Sequence, residues 1–177
     1  MDNTNLRDFI LQSGLVLGVT LGILILAAYF MGVETMVSWW VSLLNIGLVI
    51  GCPVYFAVNW KKRCGGYIEF KNAFLIIFLI FSIGTFLSTL FNITLYTVID
   101  PGLPEAIFNA AIEKSTAMMQ RFGAPDDKID EVIEKMQNNK GDFSAASMMK
   151  GYFGYLMAGI IIALIGAGII KKNKSVF

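Results

Sequence analysis

The segment Lys61–Gly66, KKRCGG, holds the densest set of reactive side chains in the sequence. Three cations beside a glycine pair suit a phosphate, because glycine lets successive backbone N–H groups converge on an anion. The same cations favour the thiolate of Cys64. Spacing argues against an enzymatic site of either kind. No G-x-x-x-x-G-K-[ST] run surrounds the glycines, so the loop is not a P-loop. Cys64 has no partner base or second cysteine beside it, although a thiol next to a membrane is an acylation site in some cells. The chain contains no histidine. That removes Ser–His and Cys–His nucleophile pairs, histidine-ligated metals and histidine proton relays. No catalytic residue, metal set or cofactor is implied. The chemistry left to Lys61, Lys62, Arg63 and Lys71 is contact with lipid phosphates or headgroups.

A second constellation lies in an apolar setting. Ser82, Thr85, Thr89, Asn92 and Tyr96 advance by 3, 4, 3 and 4 positions and share one helical face. Asn45, on the preceding apolar stretch, and Asn92 both fall roughly 10 Å from the expected outer boundary at 1.5 Å per residue. The two are expected to approach each other. Such a line serves interhelical hydrogen bonds of about 0.6–2 kcal/mol, or forms the wall of a translocation path or lipid-headgroup groove. Pumps and secondary transporters usually need an ionisable group within the membrane. None is present in the spans, which argues against proton coupling.

The elements that carry these residues follow from composition. The 177 residues are 56% hydrophobic and only 15% charged, against about 25% charged in soluble domains. Mean hydropathy is +0.66. Net charge is +1, and nothing points to nucleic acid. Four stretches reach the roughly 20 apolar residues a spanning helix requires: 9–31, 36–60, 72–99 and 151–170. The first is too long for a signal-peptide core and lacks a basic flank, so it reads as a retained helix. Pro53 removes the bond to the Val49 carbonyl and predicts a kink in the second span. Gly14, Gly18 and Gly22 in the first span, Gly47 and Gly51 in the second, and Gly159, Ala163 and Ala167 in the fourth form small-residue rows. Such rows let backbones approach, either within one four-helix bundle or in a homodimer. Cys52 and Cys64 are twelve positions apart, about 18 Å along a helix, and form no disulfide framework.

Lys61, Lys62, Arg63 and Lys71 fill the second loop, and Lys171, Lys172 and Lys174 follow the last span. Residues 100–150 carry six Lys/Arg against nine Asp/Glu. Cations concentrate on the cytoplasmic side, so both termini and the 61–71 loop are expected there, with 100–150 outside. Tyr29, Trp39, Trp40, Tyr96 and Tyr152 at outer ends, and Trp60 and Tyr67 at inner ends, read as interfacial belts. In the outer segment, Phe108, Ala111, Ile112, Met119 and Phe122 recur at helical spacing before Gly123. A second helix after Pro125 carries the stripe Ile129, Val132, Ile133 and Met136. The greasy face of this hairpin packs on itself and the membrane surface, or docks an envelope protein or amphiphile with help from Met118, Met119, Met148 and Met149. Asp126, Asp127, Asp130 and Glu131 match no calcium loop.

The fold class is therefore all-α: one membrane domain over 1–177, with four transmembrane helices and an extracytoplasmic helical hairpin between the third and fourth. The order of "CGGYIEFKNAF" (Cys64–Phe74), a long apolar helix, "YTVIDPGLPE" (Tyr96–Glu105), an outer helical segment and a last span resembles a membrane-protein family of Bacteroidota known as domain of unknown function 4199. Gly65, Gly66, Tyr67, Phe70, Ala73, Asp100 and Pro101 carry the resemblance. It implies a multi-pass protein of the bacterial cytoplasmic (inner) membrane without an established activity, and gives a weak pointer towards polyprenyl-phosphate-linked envelope lipids. The expected function is a non-enzymatic accessory or scaffold protein of the cell envelope. The alternative is a subunit that translocates a lipid or small molecule.

Overall fold

The computed structural model describes residues 3–138 and 140–172. Helix α1 (Asn3–Phe30) leads through a short α2 (Val33–Met36) to α3 (Trp39–Arg63). Helix α4 (Phe70–Thr94) continues as a π-helical turn, Leu95–Ile99. Then come α5 (Leu103–Arg121), α6 (Asp126–Asn138) and α7 (Ala145–Ile170). Among the described residues there is no β-strand, only an isolated bridge between Ile68 and Lys172. Four stretches are long and apolar enough to cross a membrane: Asn5–Phe30, Trp39–Arg63, Phe70–Ile99 and Ala145–Ile170.

Their ends differ from the expected ones for local reasons. Gly32, at φ +100°, breaks the chain after α1, and the single turn α2 intervenes. α3 therefore starts at Trp39 instead of Met36 and takes Lys61–Arg63 into its last turn, where cations oppose the helix dipole. α7 begins at Ala145 and not at Gly151, because Ser144 caps it. The Ser144 Oγ accepts from the Ser147 N–H. Asp142 fixes this cap by accepting from the Ser144 N–H and hydroxyl, both at 2.8 Å. These two bonds, the backbone one first, hold the Asp142 carboxyl below its ordinary range.

α4 is the central helix. Its Ile76, Ile77, Ile80 and Phe81 are fully buried. On one side its bulky residues enter the glycine trough of α1: a Cβ on Gly14, Gly18 or Gly22 would meet Ile83, Leu87 or Phe91 at 2.7–2.9 Å. Gly84 of α4 receives Leu17 in return. On the other side Gly159 lies against Phe81 and Gly166 against Ile77, with Ala163 and Ala167 wholly buried. Close approach of this kind replaces the hydrophobic drive that a lipid solvent lacks. The row on α3 finds no such partner helix within the described residues of the chain. A Cβ on Gly47 or Gly51 would meet nothing within 4 Å beyond its own stretch of helix. Both glycines lie towards the outside of the bundle with Leu43 and Leu44, which are 57% and 50% exposed.

The glycine pair after α3 has a conformational role. Gly65 and Gly66 stand at φ +72° and +86°. The Gly66 N–H donates to the Lys61 carbonyl and the Gly65 N–H to that of Lys62, the paired bonds of a Schellman cap. Ile68 and Lys172 then exchange backbone hydrogen bonds of 3.0 and 2.9 Å, which tie this loop to the end of α7. Gly65→Ala is expected to cost about 1–2 kcal/mol, because a Cβ is strained in the left-handed region. Gly168→Ala, in open space within a helix, is expected to be neutral or mildly stabilising. Thermal unfolding in detergent compares the two.

α5 ends in the same kind of cap: Ala124 and Gly123 donate to the carbonyls of Met119 and Gln120. α6 then turns Ile129 into a buried position, with Val132, Ile133 and Met136 half-buried beside it. Lys114 anchors α5 by donating to the Val37 carbonyl and the Ser38 hydroxyl at 3.3 and 3.2 Å. On the exposed face Glu131 accepts from Lys135 and Lys128 at 2.7 and 2.9 Å, and these lysines, Lys135 first, hold its carboxyl below the usual range. The depressed value means this small contribution is present above the ordinary carboxylate pKa and is lost as pH falls through the folded one. Helical circular dichroism should fall slightly over that acidic window, and Glu131→Gln should reduce the dependence, leaving the part due to Asp142.

Candidate functional site

A cavity of about 490 Å³ lies between the first half of α3 and the body formed by α1, α4 and α7. It is in the half of the bundle that carries α5 and α6. Its existence follows from where α3 makes contact. From Pro53 onward α3 packs on the core: Pro53 and Ala57 are buried, and Val54, Phe56 and Trp60 lie against the central cluster. At the far end Val41 is buried and Lys114 grips the residues before the helix. Between these two anchors Ser42 and Asn45 line the cavity, and Val49 both lines it and packs against the central cluster. α3 runs through Pro53 without a break in the helix.

α4 supplies the polar wall. Thr85, Ser88, Thr89, Asn92 and Tyr96 line the cavity and face Asn45 across it. The proton of the Thr85 hydroxyl goes to the Phe81 carbonyl at 2.7 Å, and that of Thr89 to the Thr85 carbonyl at 2.9 Å. Asn92 Nδ2 donates to the Ser88 carbonyl at 2.9 Å, and the Ser42 hydroxyl to the Ser38 carbonyl at 3.4 Å. Asn45 and Asn92 thus share the cavity but are not hydrogen-bonded to each other. Among the described residues the Ser88 hydroxyl, in a residue only 9% exposed, has no hydrogen-bond partner, and neither has the Asn45 amide. No Asp, Glu, Lys or Arg among the described residues lines the space.

Phe81 closes the cavity against Gly159. Beyond it Ala57, Ala73, Ile76, Ile77 and Ala163 are fully buried and leave no solvent-exposed surface. The polar region is therefore confined to one half of the bundle.

Ser82 departs from the expected polar line. Its hydroxyl donates to the Phe78 carbonyl, and its own carbonyl accepts from the Tyr152 Oη at 3.1 Å. Tyr152 accordingly sits well inside α7 instead of at a boundary, because the Ser144 cap extends the helix in front of it. Tyr96 likewise lines the cavity and meets Phe143 edge-on at 6.3 Å. Ser88 was not anticipated, although it stands three residues after Thr85 and four before Asn92. Ser42 and Tyr155 were also missed. Ser42 is one helical turn before Asn45, a legible spacing; Tyr155 is on the far helix and had no such signal.

The cations at the opposite end are partly committed to structure. Lys61 Nζ donates to the Ile170 carbonyl at 2.7 Å and so caps α7. Arg63 lies over the Phe9 ring at 5.1 Å, Lys171 over Phe70 at 6.0 Å and Lys172 over Tyr67 at 5.6 Å. Lys62 and Lys71 are exposed; Lys174 lies outside the described residues. Lys61 is thus removed from the expected headgroup set, because its ammonium is spent on a helix end. Lys61→Met should lower stability by about 1–2 kcal/mol through loss of a cation at a partly buried helix C-terminus, whereas Lys62→Met should stay within about 0.5 kcal/mol. Thermal unfolding in one detergent measures both. Cys52 and Cys64 are free, half-buried thiols.

The segment Tyr96–Glu105 also has a structural account. The Asp100 N–H donates to the Leu95 carbonyl at 2.9 Å, closing the π-helical turn. The Asp100 carboxylate accepts from the Tyr29 hydroxyl at 3.3 Å and from the Gly102 N–H at 3.2 Å. One aspartate thereby joins the end of α1 to the turn into α5.

Comparison with curated proteins and with solved structures gives no match. The profile of one family, described as a protein of unknown function (DUF4199), matches residues 12–172. That match takes in the double-glycine cap, the first apolar helix from residue 12 and the other three whole, the Asp100 turn and every residue of the cavity wall, and the chain belongs to this family.

Proposed function

We propose that this chain is a non-catalytic accessory protein of the bacterial inner membrane that holds an amphiphile in the cavity between α3 and α4. The Lys61–Lys71 loop and both termini are cytoplasmic, and α5 and α6 lie outside. The orientation is supported by the cations gathered at one end of the bundle and the acidic excess at the other.

One observation carries the functional reading: the polar groups that line the cavity are confined to one half of the bundle, while the space is closed beyond Phe81 by buried alanines and isoleucines. A scaffold needs no cavity of about 490 Å³, a size within the usual range of ligand pockets. A translocating subunit needs polar groups along its whole length. Among the described residues the cavity wall holds no Asp, Glu, Lys or Arg, and the chain has no histidine, which speaks against acid–base chemistry near neutral pH there. Lys62 and Lys71 remain available for anionic headgroups at the cytoplasmic face.

Native mass spectrometry of protein extracted gently from membranes tests the reading. One amphiphile per chain is expected on the wild type, and Thr89→Phe, which fills the cavity, should release it without loss of the folded mass. Wild-type protein that carries no amphiphile, and takes none up from added membrane lipid, would overturn the proposal.

A further inference from the structure

The hydrogen bonds of the cavity wall specify what kind of head it accepts. We infer that the occupant is a neutral, hydroxyl-bearing lipid and not a phosphorylated or ammonium-bearing one; this rests on the cavity being an amphiphile site, as proposed above.

Three features of the wall lead to this assignment. Among the described residues no charged side chain lines the cavity. A phosphate would enter it without a counter-cation, and an ammonium without a carboxylate, and an unpaired ion in such a setting is strongly disfavoured. The lysines and arginine that suit a phosphate are at the other end of the bundle, beyond the closed half.

The hydroxyl protons of Ser42, Thr85 and Thr89 are spent on carbonyls of their own helices. Each of these oxygens keeps lone pairs and has no proton to give. These three oxygens can only accept, which favours a head that donates.

The unpaired Ser88 hydroxyl and Asn45 amide supply both functions at the same place. A ligand hydroxyl donates one bond and accepts others. It can give its proton to a threonine oxygen or Asn45 Oδ1, and accept from Asn45 Nδ2 or Ser88. Leu21, Ile25, Ile46, Ile50 and Ile162 complete the lining with apolar surface for the hydrocarbon. The complementary ligand is thus an alcohol at the end of a hydrophobic body.

Two probes that differ only in the head decide the matter. Full-length protein is placed in phosphatidylcholine nanodiscs containing either a diacylglycerol or the phosphatidic acid with the same diazirine-bearing acyl chains. After irradiation the labelled peptides are mapped. The diacylglycerol is expected to label the segments around Asn45 and around Thr85–Tyr96 roughly three- to thirtyfold more than the phosphatidic acid, the range expected for one or two hydrogen bonds inside a membrane. Asn45→Leu and Ser88→Ala should each reduce diacylglycerol labelling at least about threefold, with unchanged helical circular dichroism and melting. Neither side chain makes a hydrogen bond among the described residues, so neither substitution removes one from the described fold. Equal labelling by the two lipids, or preference for phosphatidic acid, would overturn the neutral-head assignment. Labelling of the cavity by neither lipid would overturn the underlying amphiphile reading instead.

Discussion

Leucine in place of Gly18 is expected to abolish the folded bundle, whereas leucine in place of Gly47 is expected to leave it intact. A Cβ alone on Gly18 would lie 2.7 Å from both the Cβ and Cδ2 of Leu87. The clash involves an atom fixed to the α4 backbone, so no rotamer change relieves it. Alanine at this position should cost about 1–3 kcal/mol as an overpacked core substitution. Leucine adds three more carbons, so α1 and α4 must part along the seam that Gly14 and Gly22 also form. A loss above about 4–5 kcal/mol is expected, enough to leave no folded species in mild detergent. A Cβ on Gly47 would meet nothing within 4 Å beyond its own stretch of helix, so the leucine variant there should stay within about 0.5 kcal/mol. Size-exclusion chromatography after graded heating separates the outcomes. Equal behaviour of the two variants would contradict the assignment of the α1–α4 seam.

The second large effect concerns orientation. In a background with Cys52 and Cys64 replaced by alanine, Phe122→Cys reports on the α5–α6 side and Glu69→Cys on the basic loop; both positions are exposed. A membrane-impermeant maleimide added to whole cells should label Phe122→Cys and spare Glu69→Cys. Neutralising Lys62, Arg63 and Lys71 to glutamine should produce a mixed population in which Glu69→Cys becomes labelled. Each elementary charge moved across the membrane is worth about 2.3 kcal/mol per 100 mV, so three amount to about 7. Lys61 is left in place because it caps α7. Labelling of Glu69→Cys in the starting protein would reverse the proposed topology.

The long helices were legible because apolar residues run for twenty or more positions without charge, and that signal depends on no tertiary contact. Their ends were not. The start of α7 depends on Asp142 and Ser144, whose mutual hydrogen bonds only the folded chain displays. The small-residue rows teach a similar lesson. Gly14, Gly18 and Gly22 meet a column of large residues on α4, Ile83, Leu87 and Phe91, at matching intervals of four. Gly47 and Gly51 repeat the spacing on α3 but find no such column. Spacing identifies a smooth face, while its partner is decided by which way the helix turns in the bundle.

The cavity was half legible. The residues from Thr85 to Tyr96 share a helical face by spacing alone, and Asn45 was placed at the corresponding depth. What could not be read is the separation of α3 from the body. It depends on Pro53 and Ala57 packing at one end and on Lys114 reaching Val37 and Ser38 from far along the chain at the other. The KKRCGG segment shows the converse case. Its glycines looked suited to an anion, yet their positive φ values and cap bonds account for them as the end of α3.

The central claim is a polar cavity confined to the outer half and sealed from the inner half. Cysteine accessibility tests it most directly. With Cys52 and Cys64 replaced by alanine, single cysteines at Asn45 and Ser88 probe the cavity, and single cysteines at Ala73 and Ala163, both 0% exposed, probe the closed half. Hydroxyethyl methanethiosulfonate, a small neutral reagent, is applied to protein stripped of bound lipid in detergent. A polar space of about 490 Å³ admits water, so Asn45→Cys and Ser88→Cys are predicted to react while Ala73→Cys and Ala163→Cys stay unmodified. Reaction at all four positions would mean a continuous path through the bundle, and reaction at none a dry core. Either result would contradict the account.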